Sequence, residues 1–475
     1  MKFVLPAAVL LLSSAVAGTA GAQAPASAAS GSSRQSAGVL SPFYGGVPSG
    51  TASAEAIPLT ILDAIGRALE HNLGLLNAEE SVARAQGSRW LALADLLPNV
   101  NGRVNENRQK VNLAAFGFPL PAGVPSLVGP FNVFDARINL SQPLFDLRAI
   151  NAARAEQHNI AAARLNVRTA RDLVVLVSSN LYLQSLAAAS RVQSAQAQLQ
   201  TAQAIFDQAT RLKEGGIVAG IDVLRAEVQL GSERQRVTST RNDLEKTKLQ
   251  LARVIGLPPG QAFTLSEEIP YAPFPDITLE QALDRAYRSR PDYLAAQERL
   301  AAAEADRRAA AGEWLPSLRV NADYGRIGLT PGDSETTYAI AGSVNVPIFN
   351  GGRTRGKVIQ ADADLRMRRS ELADLKSGID FDVRSAFLDL NASSELLQVA
   401  TRSRELAAQQ LTQARDRFAA GVASNIEVVQ AQEVVATSSE QYIEALYNFN
   451  VAKALLARDL GVAEDMARQL LGGVR

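Results

Sequence analysis

The sequence predicts a mixed α and β membrane protein, in which four short alternating strands feed two very long helical hairpins laid out as two internal repeats. Three observations lead there. The chain repeats itself once, strand-length segments carry apolar residues at every second position, and two proline-free helical stretches are far too long for a compact globule.

The N-terminus reads MKFVLPAAVLLLSSAVAGTAGAQAPAS, one lysine before an apolar run from Phe3 to Ala17 and then small residues. That is the pattern of a cleaved signal peptide, residues 1–22, with cleavage expected after Ala20-Gly21-Ala22 because Pro25 would crowd the neighbouring frame. An uncleaved anchor needs about 18 to 20 continuous apolar residues, which the segment lacks. There is no cysteine, so neither disulfides nor a cysteine-linked lipid anchor is expected. No later segment approaches a transmembrane helix. A closed β-barrel is then the way to span a bilayer, because lipid offers free backbone groups no partners. Lys+Arg and Asp+Glu both number 48, which gives no general electrostatic reason to bind nucleic acid. Residues 23–57, rich in Ser, Ala, Gly and Pro without periodicity, read as a mobile leader.

Structure is expected from Leu59. LTILDAIGRALEHN there matches ITLEQALDRAYRSR from Ile277, with Thr60 and Thr278 as N-caps and Asp63 and Gln281 three positions on. The same spacing aligns Leu97-Pro98 with Leu315-Pro316. A shorter spacing aligns Pro143-Leu144-Phe145 with Pro347-Ile348-Phe349, Val223 with Val428 and Gly256 with Gly461. The first copy therefore carries an extra-long loop, placed at Gln109 to Pro130. The repeats are bounded at 58–276 and 277–465, with a tail at 466–475.

Strands are expected near 98–108, 132–145, 316–326 and 337–349. Leu318, Val320, Ala322 and Tyr324 share one face while Arg319, Asn321 and Asp323 share the other. Tyr338, Ile340, Val344, Val346 and Ile348 lie opposite Ala339, Ala341, Ser343 and Asn345, and Ala136, Ile138 and Leu140 alternate with Asp135, Arg137, Asn139 and Ser141. Apolar-out, polar-in barrel strands alternate in this way, and so does a half-buried soluble sheet. Between them, Leu147 to Glu214 contains no proline and ends at Gly215-Gly216, a helix of roughly 100 Å at 1.5 Å per residue. Arg353 to Ala420 repeats it and ends at Gly421. Val192, Ala195, Leu199, Ala202, Phe206 and Ala209, and again Ala407, Leu411, Ala414 and Phe418, keep the spacing of a coiled-coil seam. Helices resume at Ile221 to Ile255 and Ile426 to Leu460, with hairpin tips near 215–221 and 420–426.

Four strands cannot close a barrel, since the smallest have about eight, so several chains must assemble, and arithmetic permits two, three or four. Here the sequence resembles the TolC-like outer-membrane efflux proteins, the outer membrane factors. The resemblance rests on the openings LTILDAI and ITLEQAL, the strand entries LLPNV and WLPSL, and the strand-to-helix elements SQPLFD and NVPIFNGGRTRG. The tips EGGIVAGIDVLRAE and AAGVASNIEVVQAQ and the repeat ends LARVIGL and LARDLGV complete it. It implies a homotrimer whose twelve-stranded barrel sits in outer-membrane lipid of a Gram-negative bacterium and continues as an α-helical coiled-coil barrel across the periplasm. The implied function is the passive exit duct of a tripartite efflux or type I secretion system. A periplasmic adaptor (membrane fusion) protein and an inner-membrane pump of the RND, ABC or MFS type are the implied partners.

The resemblance also assigns candidate residues. Asp222 and Glu427 match the acids that line a constricted periplasmic gate, where rings of carboxylates repel one another and attract cations. Their blander role is to complement helix N-termini. The pattern breaks at Gln430, where the family's best-known member has a further acid, and at Ala423, where it has an arginine. Gly215, Gly216 and Gly421 match the adaptor-docking tips, although chain reversal alone would also use glycine. Gly351 and Gly352 match the turn from barrel into helix. Gly351 to Lys357 also fits a phosphate-loop pattern, but Val358 follows and cannot ligand a magnesium ion.

Enzymatic chemistry finds no support. The chain has only His71 and His158, no cysteine and no nucleophile motif, and the pairs Glu79-Glu80 and Glu267-Glu268 read as surface charge. No cofactor and no metal are expected. A soluble periplasmic coiled-coil scaffold is the alternative, but it would leave the four alternating strands unexplained.

Overall fold

The structure, a computed structural model, describes residues 41–117, 125–216, 218–272, 274, 277–420, 422–423 and 425–470. The expected signal peptide and most of the expected leader lie outside them. Residues 41–57 do not behave as a mobile leader. Val47 N–H donates to His71 O at 2.8 Å and Ser49 N–H to Gly256 O at 3.1 Å, while Gln261 Oε1 accepts from Ser53 N–H at 2.7 Å. Each of these bonds uses a backbone group of the docked segment, so side-chain periodicity does not announce it.

The docked segment leads into β1 (Ile57–Leu59), α1 (Ile61–His71) and α2 (Leu73–Ala94). Strands β2 (Asn99–Asn112) and β3 (Leu127–Phe145) then form a β-hairpin, and α3 (Leu147–Glu214) and α4 (Gly220–Val254) a helical one. After β4 (Phe263–Leu265) the plan recurs as α5 (Leu279–Ser289), α6 (Pro291–Gly312), β5 (Ser317–Gly328), β6 (Glu335–Asn345), α7 (Arg353–Ala419) and α8 (Asn425–Asp459). Helix α9 (Ala463–Leu470) follows and covers part of the expected tail. Thr60 and Thr278 each close a capping box, with Asp63 and Gln281 returning the bond, so both repeats open with the same device.

Two strand expectations are corrected. The stretch from Gln109 to Pro130 is strand at both ends rather than loop throughout, because β2 and β3 stay paired out to Asn112 and Leu127 across a bulge beyond Gln109. Strand β6 stops at Asn345 instead of reaching Phe349, since Pro347 has no N–H to give the ladder.

The sheet runs β2-β3-β5-β6 with every pair antiparallel. Directly paired residues share a face, so register sorts the side chains. Ile138, Tyr324 and Tyr338 form one row, and Val100, Leu140, Ala322 and Ile340 the next. Val100, Ile138, Tyr324, Tyr338 and Ile340 are all exposed. The opposite face is a polar network: Arg137 Nε donates to Asp135 at 2.6 Å and its Nη1 to Asp323 at 3.0 Å, and Ser141 Oγ donates to Asn321 at 2.9 Å.

Helix order copies strand order. Next to the sheet α2 packs on α3, α3 on α6 and α6 on α7; toward the tips α4 packs on α3, α3 on α8 and α8 on α7. Between these levels β1 pairs in parallel with β4, tying the repeats together over a core that includes Leu59, Tyr182, Leu251, Ile379 and Leu456. Part of this core explains a further difference. One window of α3 is apolar enough to cross a membrane by length and composition. Most of that window is buried within the fold, which accounts for its composition without a bilayer.

Candidate functional site

At the far end of the helical hairpins, Ile205, Ala209, Ala226, Ala414, Phe418, Val428 and Ala431 bring all four long helices into one apolar cluster. The small residues of the predicted seam allow the close approach. Beyond it the two turns carry the candidate gate and docking residues.

Asp222 and Glu427 hold the same position, the third residue of α4 and of α8, but their ionic partners differ. Arg225 Nη1 lies 3.5 Å from Asp222 Oδ1, one turn along the same helix. Glu427 instead pairs back across its own turn with Arg417 of α7, Nε to Oε1 3.3 Å. Gln430, the repeat counterpart of Arg225, lies with it on the wall of an apolar groove between α4 and α8 that Ile221, Leu224, Val228 and Ile426 also line. The structure thus brings Arg225 and Gln430 into one groove and turns the two acids toward arginines, neither of which the sequence reading singled out. The signal was available, because Arg225 stands where the repeat alignment places Gln430.

Gly215 ends α3 with right-handed angles, and Gly216 follows at φ 74°, a left-handed value that favours glycine. Gly421 lies outside the described residues. At the other end of the second hairpin Gly351 and Gly352 both take left-handed angles, φ 66° and 83°, and α7 starts there without a side-chain cap. The first copy starts α3 differently, with Asp146 accepting Ala149 N–H at 3.0 Å. Residues of the phosphate-loop pattern are committed elsewhere: the Lys357 ammonium pairs with Glu313, which caps the end of α6 and also accepts the Thr354 hydroxyl at 3.2 Å.

Two buried charges at mid-length escaped the sequence reading. Lys453 is fully buried in α8, donates to Ala272 O at 2.9 Å, and burial lowers its ammonium to about 8. Arg290, also buried, joins the α5–α6 junction to two other helices through Asp292 at 2.7 Å, Asp382 at 3.2 Å and Asp459 at 3.9 Å. In sequence each is one charge among many on a helical stretch, and only packing removes it from water. Neither histidine supports chemistry: His71 meets the Ser49 hydroxyl at 2.9 Å and His158 meets Glu298 at 2.7 Å. Among the described residues no group of three metal-ligating side chains gathers.

Comparison with known proteins agrees with this architecture. A family model described as outer membrane efflux protein matches residues 64–257 and 282–462. The pyoverdine export outer membrane protein OpmQ of Pseudomonas putida is 24% identical over 407 residues, covering 84% of either chain. The outer membrane protein TolC of Escherichia coli is 22% identical over 351 residues, 70% of either. Among solved structures, a membrane protein from Pseudomonas aeruginosa superposes with a TM-score of 0.75 at 19% identity, covering 90% of this chain and 98% of its own.

Proposed function

Because the chain belongs to the outer membrane efflux protein family, we propose that three copies close one twelve-stranded barrel and one continuous helical tunnel. The chain is an outer-membrane channel of a tripartite efflux or secretion system, a passive exit duct and not an enzyme.

One observation carries the assembly: the unit is open at the same flanks on every level. Among the described residues β2 and β6 are unpaired edges, and α2 or α4 on one side and α7 on the other are the outer helices at the corresponding heights. An open sheet edge in hydrocarbon leaves backbone groups without partners, so β2 of one copy meets β6 of the next. Exposed Phe381, Leu388 and Leu396 give α7 an apolar stripe that continues this seam downward. The apolar sheet face then meets lipid, and the network of Arg137, Asp135 and Asp323 faces the lumen. An adaptor docks at the tips around Gly215, Gly216 and Gly421. A pump in the inner membrane, of the RND, ABC or MFS type, supplies substrate and work.

Fractionation of Gram-negative cells tests the assembly. The protein is expected in the outer membrane, migrating as an oligomer about three times the monomer mass until heated. A monomer in the soluble periplasmic fraction would overturn it. Adaptor docking is tested by placing a bulky residue at Gly421, which should abolish export while the barrel still inserts; intact export would count against docking there.

A further inference from the structure

We propose that the outward face of the β-sheet carries, above its apolar band, a cationic rim that binds the phosphates of the glycolipid filling the outer leaflet. The inference rests on the barrel reading, because only that reading makes the face with Tyr324 and Tyr338 the lipid face.

Register supplies the argument. Counting away from the helices, the Gly102–Ile138–Tyr324–Tyr338 row is the last one dominated by apolar and aromatic side chains. The next row on the same face holds Val104, Ala136, Arg326 and Thr336; above it come Glu106 with Phe134, then Arg108 with Asn132. Lys110 follows at the bulge. With about 6.8 Å of strand for every two residues and a tilt near 40°, these cations stand roughly 5 to 20 Å above the tyrosines. That is the depth of headgroups, where tyrosine rings mark the boundary.

Arg108 and Lys110 are exposed, and among the described residues no ion pair holds either. Arg326 is aimed by Ser334 O, which accepts its Nε at 3.1 Å, and it keeps further guanidinium donors. Glu106 is the acid on this face, so three cations stand against one carboxylate. Edge strand β2 carries two of them, so a closed barrel repeats the patch at every junction between copies. Phosphate monoesters on an amphiphile suit the place: acyl chains lie on the apolar rows while arginine and lysine make charge-assisted hydrogen bonds above them. Continuity with the lipid face separates this patch from a site for a soluble anion.

The experiment titrates the purified full-length protein in detergent with bisphosphorylated lipid A and with the same lipid stripped of phosphate, counting bound lipid by native mass spectrometry. Wild-type protein should prefer the phosphorylated lipid by about tenfold or more, as near-surface cations commonly give. The preference should shrink with salt. In the R108Q/K110Q variant it should vanish while the oligomer persists, and in E106Q it should hold or grow. Equal binding of both lipids by wild type, a salt-independent preference, or undiminished preference in R108Q/K110Q would overturn the rim. Loss of preference in E106Q would overturn direct pairing in favour of a bridging cation. Failure of the wild type to form an oligomer or enter membranes would instead count against the barrel itself.

Discussion

Arg417 Nε lies 3.3 Å from Glu427 Oε1 across the turn of the second hairpin, whereas Asp222 at the matching place in the first is 3.5 Å from Arg225 within its own helix. The second pair ties α8 back to α7; the first lies within α4. Both are exposed ion pairs of the sort that contributes about 0.2 to 1 kcal/mol. Glu427→Gln is therefore expected to raise open probability by no more than about fivefold, by releasing α8. Asp222→Asn should lower cation selectivity by removing a carboxylate from the entrance. Single-channel recording in planar bilayers checks both, and two silent variants would remove these carboxylates from the gate.

The two faces of β6 should respond oppositely to charge. Ile340 is exposed in the row of Leu140 and Ala322, while Ala341 next to it pairs with Asn321 on the polar face. Ile340→Arg places a cation in hydrocarbon at about 2 to 4 kcal/mol and should lower the amount of protein in the outer membrane. Ala341→Arg should insert normally. Quantitative blotting of membrane fractions reads the difference, and equal levels would reverse the assignment of faces.

Arg290 holds three carboxylates from a buried position. Arg290→Met would leave Asp292 and Asp382 short of a counter-charge, and breaking a buried network from one side costs about 3 to 5 kcal/mol. Thermal denaturation in detergent should show a large drop in midpoint. Adding Asp292→Asn and Asp382→Asn should restore part of it, because those two stranded charges are then removed.

Lys453 makes stability depend on alkaline pH. Its folded-state value of about 8 lies below the ordinary 10.5, so the unfolded chain binds more protons between those values and stability rises with pH across that window. Below about pH 8 the cost of the buried ammonium is present in full. Lys453→Met should remove a rise of at most roughly 3 kcal/mol. Denaturation midpoints of wild type and variant at pH 7.5 and 10.5 measure it, and parallel slopes would show that Lys453 titrates normally.

Much of this protein was legible in its sequence because the signals are local and repeated. Alternation in Leu318 to Tyr324 sets faces, the absence of proline from Leu147 to Glu214 permits one unbroken helix, and Thr60 and Thr278 announce helix starts through a bond that spans three residues. Duplication strengthened each signal by stating it twice. What stayed hidden depends on groups distant in the chain or on backbone atoms that every residue shares. The docked path of residues 41–57 and the extension of β2 to Asn112 rest largely on N–H and C=O groups. The partners of Asp222 and Glu427 were settled by which arginine each turn brought near. The burial of Lys453 and Arg290 was decided by helix packing, because desolvation belongs to a place in the fold and not to a residue type. Sequence alone determined the long elements, their order and which residues of a strand share a face. Tertiary structure decided which charges lost their water, and so where pH and mutation act.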